Sequence, residues 1–282
     1  MKKGIVIVSF GTTYPGTRHK NIERITEQVR SIYPDAVIEE AVSSRTVRRI
    51  MKEREEIHAL DTGEALEALM KQGVTDAVVF ATHMIDGIEY HRVAEEAGKY
   101  KKDFEVLKIA KALLTEDKDY CAVAKAFWES VKNEVQSMPL ILMGHGTEHA
   151  ADASYQKMEQ ILREYSNHAV YIATVEGRVT IDDVIGRMKV DKCVESGGEV
   201  MVMPFMLVAG EHANHDMAGE EGSFSSKLKE AGYQPKCMIR GIGEYAAVRD
   251  IYMEHLRRMT KDLFLGSRQE DKTGTLYGIG VG

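Results

Sequence analysis

The sequence has little cysteine and no excess of basic residues. Its three cysteines, Cys121, Cys193 and Cys237, are far apart and form no Cys-x-x-Cys pair, which argues against a disulfide framework and a thiolate zinc site. Lys and Arg number 37 against 44 Asp and Glu, and the formal charge of −7 argues against a nucleic-acid partner. Small molecules are therefore the expected ligands.

The sequence also lacks long apolar runs and nucleotide-binding motifs. No stretch approaches the roughly 20 apolar residues of a membrane helix, and the run 4–10 lacks the cleavage site of a signal peptide. There is no phosphate loop, no His-Glu-x-x-His, no Gly-x-Ser-x-Gly and no Gly-x-Gly-x-x-Gly after the first apolar run. We expect a cytoplasmic protein with no membrane partner and no nucleotide cofactor.

Short apolar runs alternate with amphipathic segments along the chain. Residues 5–10 are a β-branched run of the kind buried on both faces of a parallel sheet, and a helix with an apolar stripe from Ile22 to Ile32 ends before Pro34. This alternation predicts an α/β fold with two similar lobes, each a mostly parallel sheet flanked by helices. The predicted strands are 5–10, 36–42, 76–82, 104–109, 140–143, 168–175, 199–208 and 236–239. The predicted helices are 22–32, 62–72, 90–101, 117–135, 154–165, 180–188, 223–229 and 244–259.

Three strand ends of the first half recur, in order, in the second half. The matching segments are 9–12 with 144–147, 41–45 with 174–178, and 84–87 with 206–210. The chain therefore looks duplicated, with a first lobe over 1–137, a second over 138–264 and a polar tail over 265–282. Ligands bind at the carboxyl ends of parallel strands, so we expect a shared cleft where the two sets of strand ends face each other.

Three potential metal ligands follow strands of the second lobe, namely His145, Glu176 and His212. Each has a simpler interpretation alone, since His145 suits a turn, Glu176 can pair with Arg178, and Asp216 can orient His212 at a helix start. Their equivalent positions predict that the three converge on one point. Two imidazoles and a carboxylate suit Co²⁺, Fe²⁺, Ni²⁺ or Zn²⁺ and leave coordination positions open, as for a metal that is delivered or that reacts.

The corresponding positions of the first lobe have lost this ligand set. Phe10 and Ser43 stand where His145 and Glu176 stand in the second lobe, and Glu89 matches His212. Glu89 can exchange protons across the cleft or can simply begin a helix, and both interpretations stay open.

Four segments resemble a known family. They are Ser-Phe-Gly-Thr at 9–12, Met-Gly-His-Gly at 143–146, Val-Glu-Gly at 175–177, and Met-Pro-Phe-Met-Leu-Val-Ala-Gly-Glu-His-Ala-Asn-His-Asp-Met at 203–217. They look like the cobaltochelatases of the anaerobic cobalamin pathway, class II chelatases that insert Co²⁺ into sirohydrochlorin. The resemblance extends over roughly 1–262. It implies a bilobal chelatase fold, metal binding at His145, Glu176 and His212, and His145 as the proton acceptor.

The chemistry of metal insertion agrees with these residue types. Two pyrrole protons leave while Co²⁺ moves from protein ligands to ring nitrogens, and histidine can both hold a metal and accept a proton. Because the tetrapyrrole carries many carboxylates, we nominate Arg45 and Arg178 as local cations. The ring face is expected against the backbone of Phe10, Gly11, Thr12 and Thr13.

The sequence leaves several alternatives open. A related chelatase inserting Fe²⁺ or Ni²⁺ has the same ligand types, and a carrier of tetrapyrrole or metal needs no catalysis. Sirohydrochlorin and precorrin-2 are both candidate substrates. The oligomeric state cannot be read from the sequence, so a homo-oligomer stays open, and the tail over 265–282 has no assigned role.

Overall fold

The computed structural model describes residues 1–195 and 197–264, and it contains two four-stranded parallel sheets. The polar tail predicted over 265–282 lies outside the described residues. The strands are β1 (Lys3–Ser9), β2 (Val37–Val42), β3 (Asp76–Ala81), β4 (Val106–Ile109), β5 (Leu140–Gly144), β6 (Val170–Thr174), β7 (Glu199–Pro204) and β8 (Gln234–Cys237). The strand orders, β2-β1-β3-β4 and β6-β5-β7-β8, are equivalent. The fold prediction is therefore confirmed.

Helices connect successive strands and cover the sheets. They are α1 (Pro15–Arg18), α2 (Arg24–Ile32), α3 (Arg45–Glu55), α4 (Thr62–Lys71), α5 (Ile88–Lys99), α6 (Asp117–Val135), α7 (Ala153–Ser166), α8 (Ile181–Asp191), α9 (Phe224–Glu230) and α10 (Ala246–Phe264). Helix α3 was absent from the sequence prediction. Among the described helices, none combines the length and apolar character needed to cross a bilayer.

The apolar run of the first strand is explained by its central place in the sheet. β1 pairs in parallel with β2 on one side and with β3 on the other. Ile5, Val6 and Val8 are fully buried because helices cover both faces, which is the setting that favours continuous β-branched residues. β5 occupies the same position in the second sheet.

Two glycines at equivalent positions bring neighbouring strand ends together. Gly11 follows β1 with φ +91°, and Gly146 follows β5 with φ +82°. A Cβ at Gly11 would lie 2.5 Å from a methyl group of Val42, and one at Gly146 would lie 2.3 Å from the backbone nitrogen of Gly177. Only glycine combines this backbone conformation with such close approach, so the internal repeat has a physical basis.

Two long helices pack across the boundary between the sheets. α10 comes last in the described chain, yet the Tyr252 hydroxyl donates to the Thr82 carbonyl at 3.0 Å and its ring meets Phe80 edge to face. α6 precedes β5 but packs along α7, and Phe127 meets Phe205 edge to face at 5.5 Å. One hydrophobic cluster consequently runs through both lobes.

Candidate metal centre and substrate cleft

His145 leaves the carboxyl end of β5 with its side chain about one third exposed. Its Nδ1 lies 3.0 Å from the carbonyl oxygen of Gly146, so a proton on Nδ1 can be donated to that oxygen. The hydrogen bond leaves Nε2 with a free lone pair. Tyr155 supports the turn, since its ring fills the space beside Gly144 and its hydroxyl accepts from the Gly146 N–H at 3.4 Å.

His212 begins the π-helical turn Ala213–Met217, just after β7. Its Nδ1 lies 2.7 Å from Oδ2 of Asp216, one turn further along. A carboxylate only accepts hydrogen bonds, so this contact places a proton on Nδ1, and in the neutral ring the lone pair is then on Nε2. The rings of His212 and His145 meet edge to face with 4.7 Å between centroids, which brings two predicted ligands into direct contact.

Glu176 follows β6 and reaches the same place. Its backbone N–H donates to the carbonyl of His145 at 2.8 Å, and its Oε2 lies 3.8 Å from Nδ1 of that histidine. The side chain is 59% exposed, so the carboxylate can reorient at little cost. Within 1–195 and 197–264, Arg178 makes no ion pair with Glu176, and its backbone N–H donates instead to Asp152 at 2.9 Å.

The three predicted ligands contact one another in pairs through His145, but they do not form one coordination shell. In the described part of the chain, no three His, Cys, Asp or Glu side chains are arranged to hold a metal ion together. The three strand ends converge, but their convergence alone does not produce a metal-binding shell. Proximity follows from the fold, whereas ligation of one ion also requires the exposed Glu176 carboxylate to turn.

A cavity of about 750 Å³ opens on the first lobe, and its lining includes Phe10 but neither His145 nor His212. Phe10 connects the two features, since it lines the cavity, is 38% exposed and has its ring centroid 6.3 Å from that of His145. Ser43, Arg45 and Glu89 also line it. The cavity is large enough for a substantial small molecule to lie next to the histidine pair.

The charges in this cavity wall are mostly paired. Three cations each lie beside a carboxylate. The pairs are Arg92 with Glu89, Lys99 with Glu96, and Arg48 with Asp61. Arg45 is exposed and forms no ion pair with any residue the structure describes. It is thus the wall cation whose charge is available to an anionic ligand.

Other predicted binding residues lie apart from this cavity. Gly11 and Thr12 are buried and line a separate cavity of about 280 Å³ behind β1. Thr13 is half-buried. Arg178 is exposed and is not among the residues that line the larger cavity.

His83 is a further strand-end histidine that was not among the predicted site residues. It follows β3, and its Nε2 lies 3.2 Å from Oγ of Ser43 in the cavity wall. Burial lowers the pKa of His83 to about 4, so the ring is neutral near pH 7. Its place just beyond a strand end was the available signal, although no spacing marked its contact with Ser43.

The parallel sheets, the paired histidines at strand ends and the adjoining cavity define a two-lobed metal chelatase. The chain belongs to the cobalt chelatase (CbiK) family, whose model matches residues 3–261. The family resemblance found in the sequence is therefore confirmed.

Two curated relatives cover nearly the whole chain. The sirohydrochlorin cobaltochelatase of Salmonella typhimurium is 30% identical over 259 residues, which are 92% of this chain and 96% of that protein. The sirohydrochlorin cobaltochelatase CbiKC of Nitratidesulfovibrio vulgaris is 29% identical over 266 residues, 90% of this chain and 89% of that protein.

Two solved structures share the fold at low sequence identity. SirB from Bacillus subtilis with Fe³⁺ has a TM-score of 0.68 and 15% identity, with 93% of this chain and 98% of that chain covered. CbiX, described as the terminal enzyme for biosynthesis of siroheme in denitrifying bacteria, has a TM-score of 0.55 and 14% identity, with 90% and 98% covered. These similarities establish the two-lobed architecture.

Proposed function

We propose that this chain inserts Co²⁺ into sirohydrochlorin and releases two pyrrole protons, without a nucleotide. The observation that carries the proposal is the edge-to-face contact between His145 and His212, whose ring centroids are 4.7 Å apart, near a cavity of about 750 Å³. Membership of the cobalt chelatase family and the names of two full-length relatives support the same substrates.

In this proposal Co²⁺ is a substrate held by Nε2 of His145, Nε2 of His212 and the carboxylate of Glu176. The Nδ1 atoms of the two histidines are occupied by Gly146 and Asp216, which supports presentation of Nε2. Three protein ligands leave coordination positions for the macrocycle nitrogens. The exposed carboxylate can swing away, so the metal is held firmly enough to bind and weakly enough to leave.

The macrocycle would lie in the cavity with one face towards Phe10. Arg45 would receive a substrate carboxylate there, and its lack of an ion partner among the described residues supports that role. Arg178 is a second proposed cation, exposed on the turn that also carries Glu176. The backbone from Gly11 to Thr13 stays part of the proposed binding surface, although the side chain of Thr12 is buried.

Proton transfer is assigned to His145 and Glu89. Once Co²⁺ has moved from His145 to the ring nitrogens, the freed imidazole can accept a pyrrole proton. Glu89 lines the same cavity with its side chain about one third exposed, and it is proposed to pass protons towards solvent. The balance is one Co²⁺ taken up by the macrocycle and two protons released.

The proposal also covers the enzyme class, the pathway, the compartment and the boundary between the lobes. The activity is that of a lyase forming nitrogen–metal bonds, placed in cobalamin biosynthesis and in the cytoplasm. The lobes are proposed to divide at residues 137 and 138. The preference of sirohydrochlorin over precorrin-2 also rests on the relatives' names.

The direct test mixes purified protein, Co²⁺ and sirohydrochlorin and follows the absorbance of the macrocycle. We expect many turnovers per chain. A carrier would instead give a change that stops at one equivalent. Parallel reactions with Fe²⁺ and Ni²⁺ test the metal, and faster turnover with either ion would reassign it.

The role of His145 is tested by His145→Ala. We expect turnover to fall by at least about 100-fold, because the variant lacks both a metal ligand and the proton acceptor. The matched control is His19→Ala, which removes an exposed imidazole bound to Glu23 on the first lobe. Circular dichroism checks the fold of both variants. Activity of His145→Ala within a few-fold of the parent would contradict its role.

A further inference from the structure

The segment that carries His212 is tied to the first lobe by two hydrogen bonds. The Tyr14 hydroxyl donates to Oε2 of Glu211 at 2.6 Å across a separation of 197 residues. The Thr17 hydroxyl donates to the carbonyl of Ala209 at 3.2 Å across 192 residues. We call these four residues the lobe clasp. It joins the start of α1 to the segment that precedes His212.

The backbone around the lobe clasp fits closely. Gly210 lies between the two clasp residues of the second lobe, and a Cβ there would come within 3.0 Å of Oγ1 of Thr12. A larger residue at Gly210 would therefore have to displace the Thr12 side chain at this point. The contact is a packed interface rather than a single long-range hydrogen bond.

Both oxygens of the Glu211 carboxylate are engaged. Oε2 accepts from Tyr14, and Oε1 lies 3.0 Å from Nε2 of His215 on the π-helical turn. The hydrogen bond with Glu211 raises the pKa of Tyr14, which keeps the hydroxyl protonated as a donor. Glu211 consequently connects the first lobe to the turn on which His212 lies.

The turn itself needs such support. His212 begins a short π-helical segment, Ala213–Met217, whose hydrogen bonding is less favourable than that of a continuous α-helix. A ligand must be held within about 0.5 Å of its working position to bind a metal well. Contacts from outside the segment therefore bear directly on where Nε2 of His212 lies.

We propose that Tyr14 is a positioning residue that, through Glu211, holds His212 within reach of His145. The inference rests on the proposed function, because it assumes that His212 binds the substrate metal. It adds a residue of the first lobe to the determinants of a metal site built on the second. Loss of the clasp would let the segment 209–217 relax away from His145, so metal affinity would fall.

The test is Tyr14→Phe, which removes the hydroxyl and keeps the ring. We measure the Kd for Co²⁺ by calorimetry without tetrapyrrole and expect it to rise about 5- to 10-fold, by analogy with residues that support metal ligands. The matched control is Tyr165→Phe, which removes a phenol–carboxylate hydrogen bond to Glu129 on the far helices. Its Kd should stay within twofold of the parent value.

Three further measurements separate positioning from general stability. We expect the KM for Co²⁺ to rise in Tyr14→Phe while the KM for sirohydrochlorin stays unchanged. Amide hydrogen exchange should accelerate over 209–217 and not elsewhere. Glu211→Ala and Tyr14→Phe should raise the Kd less than additively when combined, since both remove the same bond.

The outcomes distinguish this inference from the proposed function. If the parent binds Co²⁺ and inserts it, but Tyr14→Phe has the parental Kd, only the positioning role fails. If the parent binds Co²⁺ without turnover and Tyr14→Phe raises the Kd, the clasp stands and the chelatase activity fails. If the parent binds no Co²⁺, both are overturned.

Discussion

At the residue scale, the proposed metal centre depends on which nitrogen each imidazole presents. Asp216 accepts a hydrogen bond from Nδ1 of His212 at 2.7 Å, and the Gly146 carbonyl lies 3.0 Å from Nδ1 of His145. A carboxylate is the stronger partner, because it cannot donate and carries full charge. The ring of His212 is therefore fixed more firmly than that of His145. The weaker constraint on His145 suits its proposed role as the proton acceptor, because that ring must change its protonation state.

This difference predicts the effect of Asp216→Asn. The amide is neutral and can turn its NH₂ towards Nδ1, which moves the ring proton to Nε2 and blocks metal binding. We expect the Kd for Co²⁺, measured by calorimetry, to rise about 10- to 100-fold. Glu23→Gln is the matched control, because Glu23 makes the same kind of bond with His19 at 2.8 Å. Equal affinities in the two variants would rule out the orienting role.

At the element scale, the ends of β5 and β6 are joined by glycine geometry. Gly146 has φ +82° and faces the backbone nitrogen of Gly177, while Glu176 donates its N–H to His145. The backbones that carry the predicted ligands of both strands are thereby fixed relative to each other. The glycines of the sequence motifs thus have a structural function distinct from ligand contact.

Gly146→Ala tests this arrangement. A Cβ would lie 2.3 Å from the Gly177 nitrogen in a backbone conformation unfavourable for alanine, so we expect a loss of at least about 2 kcal/mol in the free energy of unfolding. Gly186→Ala, on the exposed face of α8 with no atom within 4 Å, should gain about 0.5–1 kcal/mol. Urea unfolding measures both. A Gly146→Ala protein as stable as the parent would contradict the close approach.

Much of the fold was predictable because apolar runs and glycine turns are local signals. The strand β1 and its counterpart β5 were recognised from such runs. Helix α3 was missed because its sequence is highly charged and only Val47 and Met51 are buried. Two buried residues one turn apart give too weak a periodic signal to indicate a helix.

The site was only partly predictable. Equivalent strand ends predicted that His145, Glu176 and His212 would be neighbours, and they are in contact as pairs. No sequence pattern indicated the contact between Tyr14 and Glu211, because residues 197 positions apart belong to no common helix or strand periodicity. The division of the chain at 137 and 138 stays a prediction, because α6 and α10 pack across both halves of the chain.

At the scale of the whole molecule, an acidic protein must receive an acidic substrate. A formal net charge of −7 gives no overall attraction for a polycarboxylate. Binding is instead expected to come from a local cation, and Arg45 is the wall cation without an ion partner in the described chain. Substrate recognition is therefore expected to be short-ranged.

Arg45→Gln tests local recognition. We expect the KM for sirohydrochlorin to rise about tenfold, because a charge-assisted hydrogen bond is lost, while the Kd for Co²⁺ stays unchanged. Arg49→Gln is the matched control, being exposed on the same helix α3 but outside the cavity wall. Steady-state kinetics measure the KM for sirohydrochlorin, and calorimetry measures the Kd for Co²⁺. A parental KM in Arg45→Gln would mean that another group receives the carboxylate.

The path of α10 has a consequence for biosynthesis on the ribosome. Tyr252 covers Phe80 and closes the surface over β3, yet it is translated long after that strand. The surface of the nascent chain over β3 therefore stays uncovered until α10 has emerged from the ribosome. This order of events makes the growing chain a natural client for chaperones that bind exposed apolar surface.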